Sequence, residues 1–488
     1  MMLPDLKQED RASLLFNGID GATGNYLMPE LTPRQVSKLA TGERFDPEEV
    51  AELKKKWADT SEKNLWAGED VDEQDLAQAG WGVIFAPDIT DEVKSALAPL
   101  LELRREEAGQ RYTDFPGPRA YRSGDDKNKF LSHSGMGPGT PNTKKVPYYL
   151  LIVGSPESVP YRFQYQLDIQ YAVGRIHFDT PQEYRIYAKS VIRATHGDVS
   201  RPGQAAFFGV RNRADRATQL SADHLVKPLM NTMSAAEPTW RCTCLLADDA
   251  TKTNLAQLLG GERTPALLVT ASHGMGFPNG HPKQASDQGA LLCQDWPGPL
   301  KHRGPIPEEF YMAGRHVLND ASVEGLIAFF FACYGAGSPK LDDFAHLVEG
   351  PQATIAPNAF VGSLPKRLLA HPAGGALAVI GHVERAWTYS FMWEGAGEQS
   401  GVFENALTAL VNGKRIGSAM EYFNSRYSQL SSDLTIELEN RKYDLPGRSE
   451  SETRTEDEKL AGLWTANNDA RSYVVIGDPA VRLAVNNR

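Results

Sequence analysis

Two residues, each at the end of an apolar run, carry the chemistry this sequence offers. The run Pro265–Ser272 (PALLVTAS) leads into His273-Gly274, and the run Leu326–Ala332 (LIAFFFA) leads into Cys333-Tyr334-Gly335-Ala336-Gly337. A thiolate is a strong nucleophile. An imidazole beside it can take the thiol proton and later deliver it to a leaving amine. The two residues lie 60 positions apart. Neighbouring parallel strands would bring them to one sheet edge. Gly274 lets the backbone approach a substrate carbonyl with no Cβ in the way. Its N–H, with that of Cys333, would bind an oxyanion. Gly335 and Gly337 allow a tight turn after the nucleophile.

The other reactive side chains fit no such pattern. Cys242 and Cys244 share one expected strand, and without a second metal-spaced pair they read as packing residues. Cys293 lies in a loop and takes no role. His281, His302 and His316 fall in the irregular stretch between the two motifs and read as solvated. Asp342, Asp343 and the acidic 59–77 stretch raise calcium, but no ligand loop is recognisable. No phosphate loop or dinucleotide fingerprint follows any expected strand, and Gly-x-Ser-x-Gly is missing.

The elements that must position His273 and Cys333 have an α/β rhythm. Apolar runs expected as strands are Gly82–Ala86, Tyr148–Val153, Gln170–Ile176, Ala205–Val210, Trp240–Ala247, Pro265–Ser272, Leu326–Ala332, Gly375–Gly381 and Tyr473–Gly477. Helical spacing is expected over 90–107, 181–194, 222–233, 249–259, 402–412 and 416–430. Pro47–Trp57 reads as a short charged helix capped by Asp46. Continuous apolar strands alternating with helices predict a mostly parallel sheet covered on both faces. In such sheets the chemistry sits at the C-terminal ends of the strands. Three regions are expected: an N-terminal extension at 1–78, with a regulatory role; a first, smaller α/β subdomain at 79–203 with a long loop at 109–146; and a catalytic subdomain at 204–488. Phe277–Val317 and Ser431–Lys459 are polar and aperiodic and read as long loops.

Ala332-Cys333-Tyr334-Gly335 resembles the Ala-Cys-x-Gly part of the caspase signature, with His273 about 60 residues upstream. Phe331 stands where that signature has Gln, so specificity for Asp is not implied. The pattern looks more like the gingipain and CHAT-type branch of caspase-fold (clan CD) cysteine peptidases. Tyr149–Gly154 followed by Ala172–Ile176 resembles that branch's strand ending in Gly and its later hydrophobic-Gly-Arg strand. Ala376–Gly381 and Val475–Pro479 resemble its strand after the nucleophile helix and its closing Gly-Asp-Pro segment. The resemblance covers 148–485.

It implies a caspase-hemoglobinase-like sheet and a cysteine endopeptidase with a Cys333–His273 dyad and no cofactor or metal. It also implies a pocket acid that selects one side chain. Asp223 falls where that acid is expected and Asp215 is the alternative, giving a preference for Arg or Lys at P1 through a charge-assisted hydrogen bond. Asp223 as a helix cap remains equally open. The two loops carry Lys283, Lys301, Arg303, Arg441, Lys442, Arg448 and Arg454, which a basic-specific protease would cleave in itself. A regulatory protease in a bacterial signalling, defence or cell-death cascade is the family analogy. The rival is a catalytically inactive caspase-like scaffold that binds a protein partner.

Composition sets the outer limits. The chain has 488 residues, 41% hydrophobic and 23% charged, so collagen, a pure coiled coil and wholesale disorder are out. Its net charge is −11. Phosphate binding needs a basic face, so nucleic acid is not expected as the main partner. Protein or peptide substrates, and an activating protease or regulatory protein, are. The longest apolar run, Leu326–Cys333, is far below the ~20 residues of a membrane span, and Met1–Arg11 has no signal-like core. Four cysteines make no disulfide framework, so the cytoplasm is the expected compartment.

Overall fold

The apolar runs become strands because they can bury side chains on both faces at once. This computed structural model describes residues 71–213, 215–302, 304–344, 352–393, 396–443 and 450–485. Ten strands form one sheet. They are β1 (Trp81–Phe85), β2 (Tyr112–Thr113), β3 (Tyr149–Val153), β4 (Ala172–Ile176), β5 (Gln204–Gly209), β6 (Arg241–Leu246), β7 (Leu267–Ala271), β8 (Ile327–Phe331), β9 (Ala378–His382) and β10 (Tyr473–Gly477). Their order across the sheet is β2-β1-β3-β4-β10-β9-β8-β7-β5-β6.

Each neighbouring pair is parallel except β9–β10. The mostly parallel α/β architecture is therefore present, with a reversal at its centre. β1–β4 and β10 run one way, and β5–β9 run the other. The last strand of the chain sits between β4 and β9, so one sheet runs through both 79–203 and 204–488.

The helices are fixed at their ends by side chains. α1 (Asp91–Ala108) starts at Thr90, whose hydroxyl accepts the Val93 N–H. α2 (Pro181–Thr195) starts with a reciprocal capping box between Thr180 and Glu183. α3 (Arg216–Ser221) is capped by Asp215. α4 (Gly401–Val411) buries Phe403 against Phe329 of β8, ring centroids 5.6 Å apart. Phe329 and Phe330 are fully buried. Each contributes about 1.5–3 kcal/mol through lost apolar exposure.

Three stretches differ from their expectation as loops. Residues 109–146 hold β2 and the helix Lys127–Ser132, and they bury Phe115, Tyr121, Phe130 and Leu131 against Ile84, Leu150 and Phe163. Phe130 meets Phe163 edge to face at 5.5 Å. These aromatics are irregularly spaced, so no period betrays them. Residues 277–317 form a packed hairpin-like unit around Leu292, Trp296, Tyr311 and Ala313. Residues 431–459 belong largely to α5 (Glu421–Tyr443) and α6 (Glu450–Arg471). These two helices meet through a narrow apolar strip of Leu430, Leu463, Ala466 and Ala470, the ion pair Lys459–Glu437 at 2.6 Å and a hydrogen bond from the Asn467 amide to the Ser431 hydroxyl at 2.6 Å. Their polar surfaces hide the helical period.

Cys242 and Cys244, on the edge strand β6, are half-buried against the main core. The helix expected at 47–57, most of the acidic 59–77 stretch, Arg303 and Arg448 lie outside the described residues. Among the described residues no helix is long and apolar enough to cross a membrane.

Candidate active site

Three consecutive strands deliver the site. β8, β7 and β5 are neighbours and parallel, and Ile327 of β8 pairs with Leu267 of β7 at a constant offset up to Phe331 and Ala271. Cys333 and His273 each lie two residues beyond the last pair of that register. The Ser272 N–H donates to the Phe331 carbonyl at 3.2 Å, which carries the pairing past the strand ends. Two other contacts hold the backbone of the His273 turn. Leu292 N–H donates to the His273 carbonyl at 2.9 Å, and Met275 N–H to the Ala290 carbonyl at 2.8 Å. The 277–317 unit thus braces the histidine.

Gly274 is required by close approach. A Cβ on it would lie 1.8 Å from the Cys333 carbonyl oxygen and 2.9 Å from the Cys333 nitrogen. The turn after β7 and the turn after β8 therefore touch through their backbones.

The imidazole of His273 is oriented from β5. Beyond that strand, Asp215 caps α3 with its side chain, accepting from the Ala217 N–H at 3.2 Å and the Thr218 hydroxyl at 3.0 Å. The same carboxylate lies 2.7 Å from His273 Nε2. In the neutral ring, Nε2–H donates to Asp215, which leaves Nδ1 as the basic nitrogen. Burial opposes the Asp215 charge, yet the hydrogen bond and attraction of His273, with Thr218, outweigh it and hold the carboxyl below its usual range. The His273 ring is about a third exposed and meets the edge of Trp296 at 6.3 Å.

Cys333 is half-buried, its Sγ 3.9 Å from the Ala386 carbonyl oxygen. Burial pushes the thiol up, a backbone hydrogen bond at Ala386 lowers it, Glu384 and Asp469 add to the rise, and Arg385 opposes them. The resting group is the thiol, so it needs a base. Tyr334, the next residue, has φ +58°, a left-handed conformation that costs a residue with a Cβ about 1–3 kcal/mol. The Tyr334 N–H is held by the Glu384 carbonyl at 3.0 Å and the Gly335 N–H by Ala332 at 3.1 Å. Glu384 itself is fully buried, and burial pushes its carboxyl up against the pull of Arg385. Arg385 bonds Glu384 at 3.2 Å and also pairs with Asp342.

The structure thus brings His273, Gly274 and Cys333 together. It places Asp215, named from the sequence only as a second choice of pocket acid, on the imidazole. Asp223 is engaged elsewhere: Arg211 Nε lies 3.1 Å from each of its carboxylate oxygens, in a half-exposed pair. Asp223 sits inside a continuous helical run, where its side chain makes no cap. Sequence reasoning passed over Glu384, Asp469 and His382. The available signal for Asp215 was its position between an expected strand and the following helix.

No protein-family model and no curated protein matches the chain. Among solved structures it is similar to the Arg-specific cysteine proteinase gingipain R, at 12% identity over 83% of this chain and 78% of that one, TM-score 0.48. It is also similar to the complex of gingipain pro- and mature domains from Porphyromonas gingivalis, at 12% identity over 83% and 79%, TM-score 0.46. The Saccharomyces cerevisiae separase–securin complex matches at 10% identity over 68% of this chain and 15% of that one, TM-score 0.33.

Proposed function

We propose that this chain is a caspase-like cysteine endopeptidase with Cys333 as nucleophile and His273 as general base and acid. One observation carries the reading: Cys333 and His273 each lie two residues after the last paired positions of adjacent parallel strands, and one ring nitrogen of that histidine is bound by the buried carboxylate of Asp215. Nδ1 of His273 takes the thiol proton, and Asp215 stabilises the imidazolium that forms. The thiolate adds to the substrate carbonyl. The N–H groups of Gly274 and Cys333 receive the oxyanion. The imidazolium then gives its proton to the leaving amine, and a water deprotonated by the same ring hydrolyses the thioester. The cycle needs no metal or cofactor.

The finer part of the proposal is a basic P1 side chain, read by Asp223. That carboxylate already carries a guanidinium, from Arg211, so an incoming Arg or Lys exchanges for it. Exposed Lys301, in the 277–317 unit, is a candidate site of self-cleavage. Regulation of a protein target in the cytoplasm completes the proposal.

The deciding experiment labels the purified chain with two acyloxymethyl ketone probes, carrying Arg or Asp at P1, and maps the adduct by mass. Expected is an Arg-probe adduct on Cys333 that is lost in His273→Ala. An Asp-probe adduct would keep the peptidase and remove Asp223 as pocket acid. The burial that pushes the Cys333 thiol up favours the rival, a scaffold that binds a protein partner without cleaving it. Absence of any adduct, also after limited proteolysis, would decide for that rival.

A further inference from the structure

His382 closes β9, the strand beside the one that leads to Cys333, and it is fully buried. Its Nδ1 lies 2.8 Å from the backbone carbonyl oxygen of Glu384. Its Nε2 lies 2.9 Å from the backbone carbonyl oxygen of Asp469 and 3.3 Å from Asp469 Oδ1. Backbone carbonyl oxygens only accept hydrogen bonds. Both ring nitrogens must therefore donate, and an imidazole with two N–H groups is the cation.

Each end of this cation reaches the surroundings of the nucleophile. The Glu384 carbonyl that faces Nδ1 also takes the N–H of Tyr334, the left-handed residue after Cys333. Asp469, on α6, accepts the Trp387 N–H at 2.8 Å and the Ser390 hydroxyl, and Ser390 lies 2.7 Å from the Tyr473 hydroxyl. Between these two anchors the Ala386 carbonyl meets the thiol. The ionisable groups facing His382 are Asp469 from α6 and Tyr473 from β10, whose ring meets the imidazole edge to face at 4.9 Å. From its own segment only the Glu384 backbone faces it. The negative charges of Asp469 and Glu384 both raise the thiol, so a cation held against Asp469 offsets part of that effect.

We infer that His382 is a buried imidazolium which, paired with Asp469, positions segment 384–390 against Cys333 and screens the Asp469 charge from the thiol. It is a positioning residue, and its catalytic consequence rests on the reading of Cys333 as nucleophile. Two measurements on the full chain test it, neither of which requires cleavage.

The first is nitrogen NMR of histidine-labelled wild-type protein, with His382 assigned through contacts to the Tyr473 ring. Both of its nitrogens should carry protons at pH 8, where ordinary histidines are neutral. A neutral tautomer there overturns the inference, and this reading needs no variant to fold. The second is the pH midpoint of Cys333 alkylation by iodoacetamide. His382→Gln should move it up by about one pH unit, because Asp469 is left uncompensated, and Asp469→Asn should move it down. Shifts of the same sign, or none, overturn the positioning role. Failure of the peptidase reading would instead appear as wild-type protein that alkylates as expected yet cleaves nothing.

Discussion

Two histidine–aspartate pairs flank Cys333, and they differ in every property that matters. His273 pairs with Asp215 on the β7 side. It is partly exposed, bonded at one nitrogen, and its other nitrogen is left to exchange a proton. His382 pairs with Asp469 on the β9 side. It is buried, with both nitrogens committed to carbonyl oxygens. Under the two proposals, the same residue types serve as a proton carrier on one side and a fixed cation on the other. The difference is the number of acceptors and the access of water, not the identity of the pair.

The predictions probe that contrast. The largest effect falls on the group between the pairs. Cys333→Ala should remove probe labelling and lower any peptide cleavage by about 10³-fold or more, measured as kcat/KM. The wild-type thiol, pushed up by burial, should keep gaining alkylation rate as pH rises beyond the usual thiol value of about 8.5.

Asp215→Asn should lower kcat by about 10²–10³-fold with the fold intact, because the ring loses its orientation and its counter-charge. The acid limb of stability should change with it. The folded Asp215 carboxyl lies below its unfolded value of about 3.9, so its contribution is present above that pH. It is lost as pH falls through the folded value. Acid titration of wild-type and variant should therefore converge at low pH. A variant that keeps full kcat would break the comparison at its active end.

Gly274→Ala forces a Cβ into the Cys333 carbonyl and should destabilise by about 3 kcal/mol or more, read by denaturant melts. His382→Gln removes a group raised in the folded state: burial opposes its charge, but Asp469 and the two carbonyls prevail. Its stabilisation is fully present below the unfolded value of about 6.5 and is lost as pH rises through the folded value. The difference in Tm between wild type and variant should be greatest below that pH and shrink in alkali. The smallest effect on stability should come from Asp223→Asn, which opens a half-exposed pair and should leave Tm nearly unchanged. Under the proposed pocket role, the same change reduces cleavage after Arg.

Much of this was legible beforehand for a physical reason. β7 and β8 are continuous apolar runs that end in His-Gly and Cys-x-Gly, and buried parallel strands announce themselves in that way. The start of α5 was legible as the helix expected over 416–430, but its continuation past 430 and the start of α6 were not, because their largely polar surfaces carry no clear period. Residues 109–146 were not legible either, since their aromatics pack at irregular spacing. Asp469 lies within α6, so its pairing with His382 was out of reach from the start.

By itself the sequence determined which residues stand at strand ends, because strand burial and glycine-rich turns are local properties of the chain. It also determined that an imidazole and a thiol come 60 positions apart. The tertiary structure decided which carboxylate meets which histidine. Asp215 joins His273 across β5–β7, 58 residues away, and Asp469 joins His382 across 87. Such pairings depend on strand order and on the final strand's insertion between β4 and β9. No local pattern encodes an order that long-range contacts alone establish.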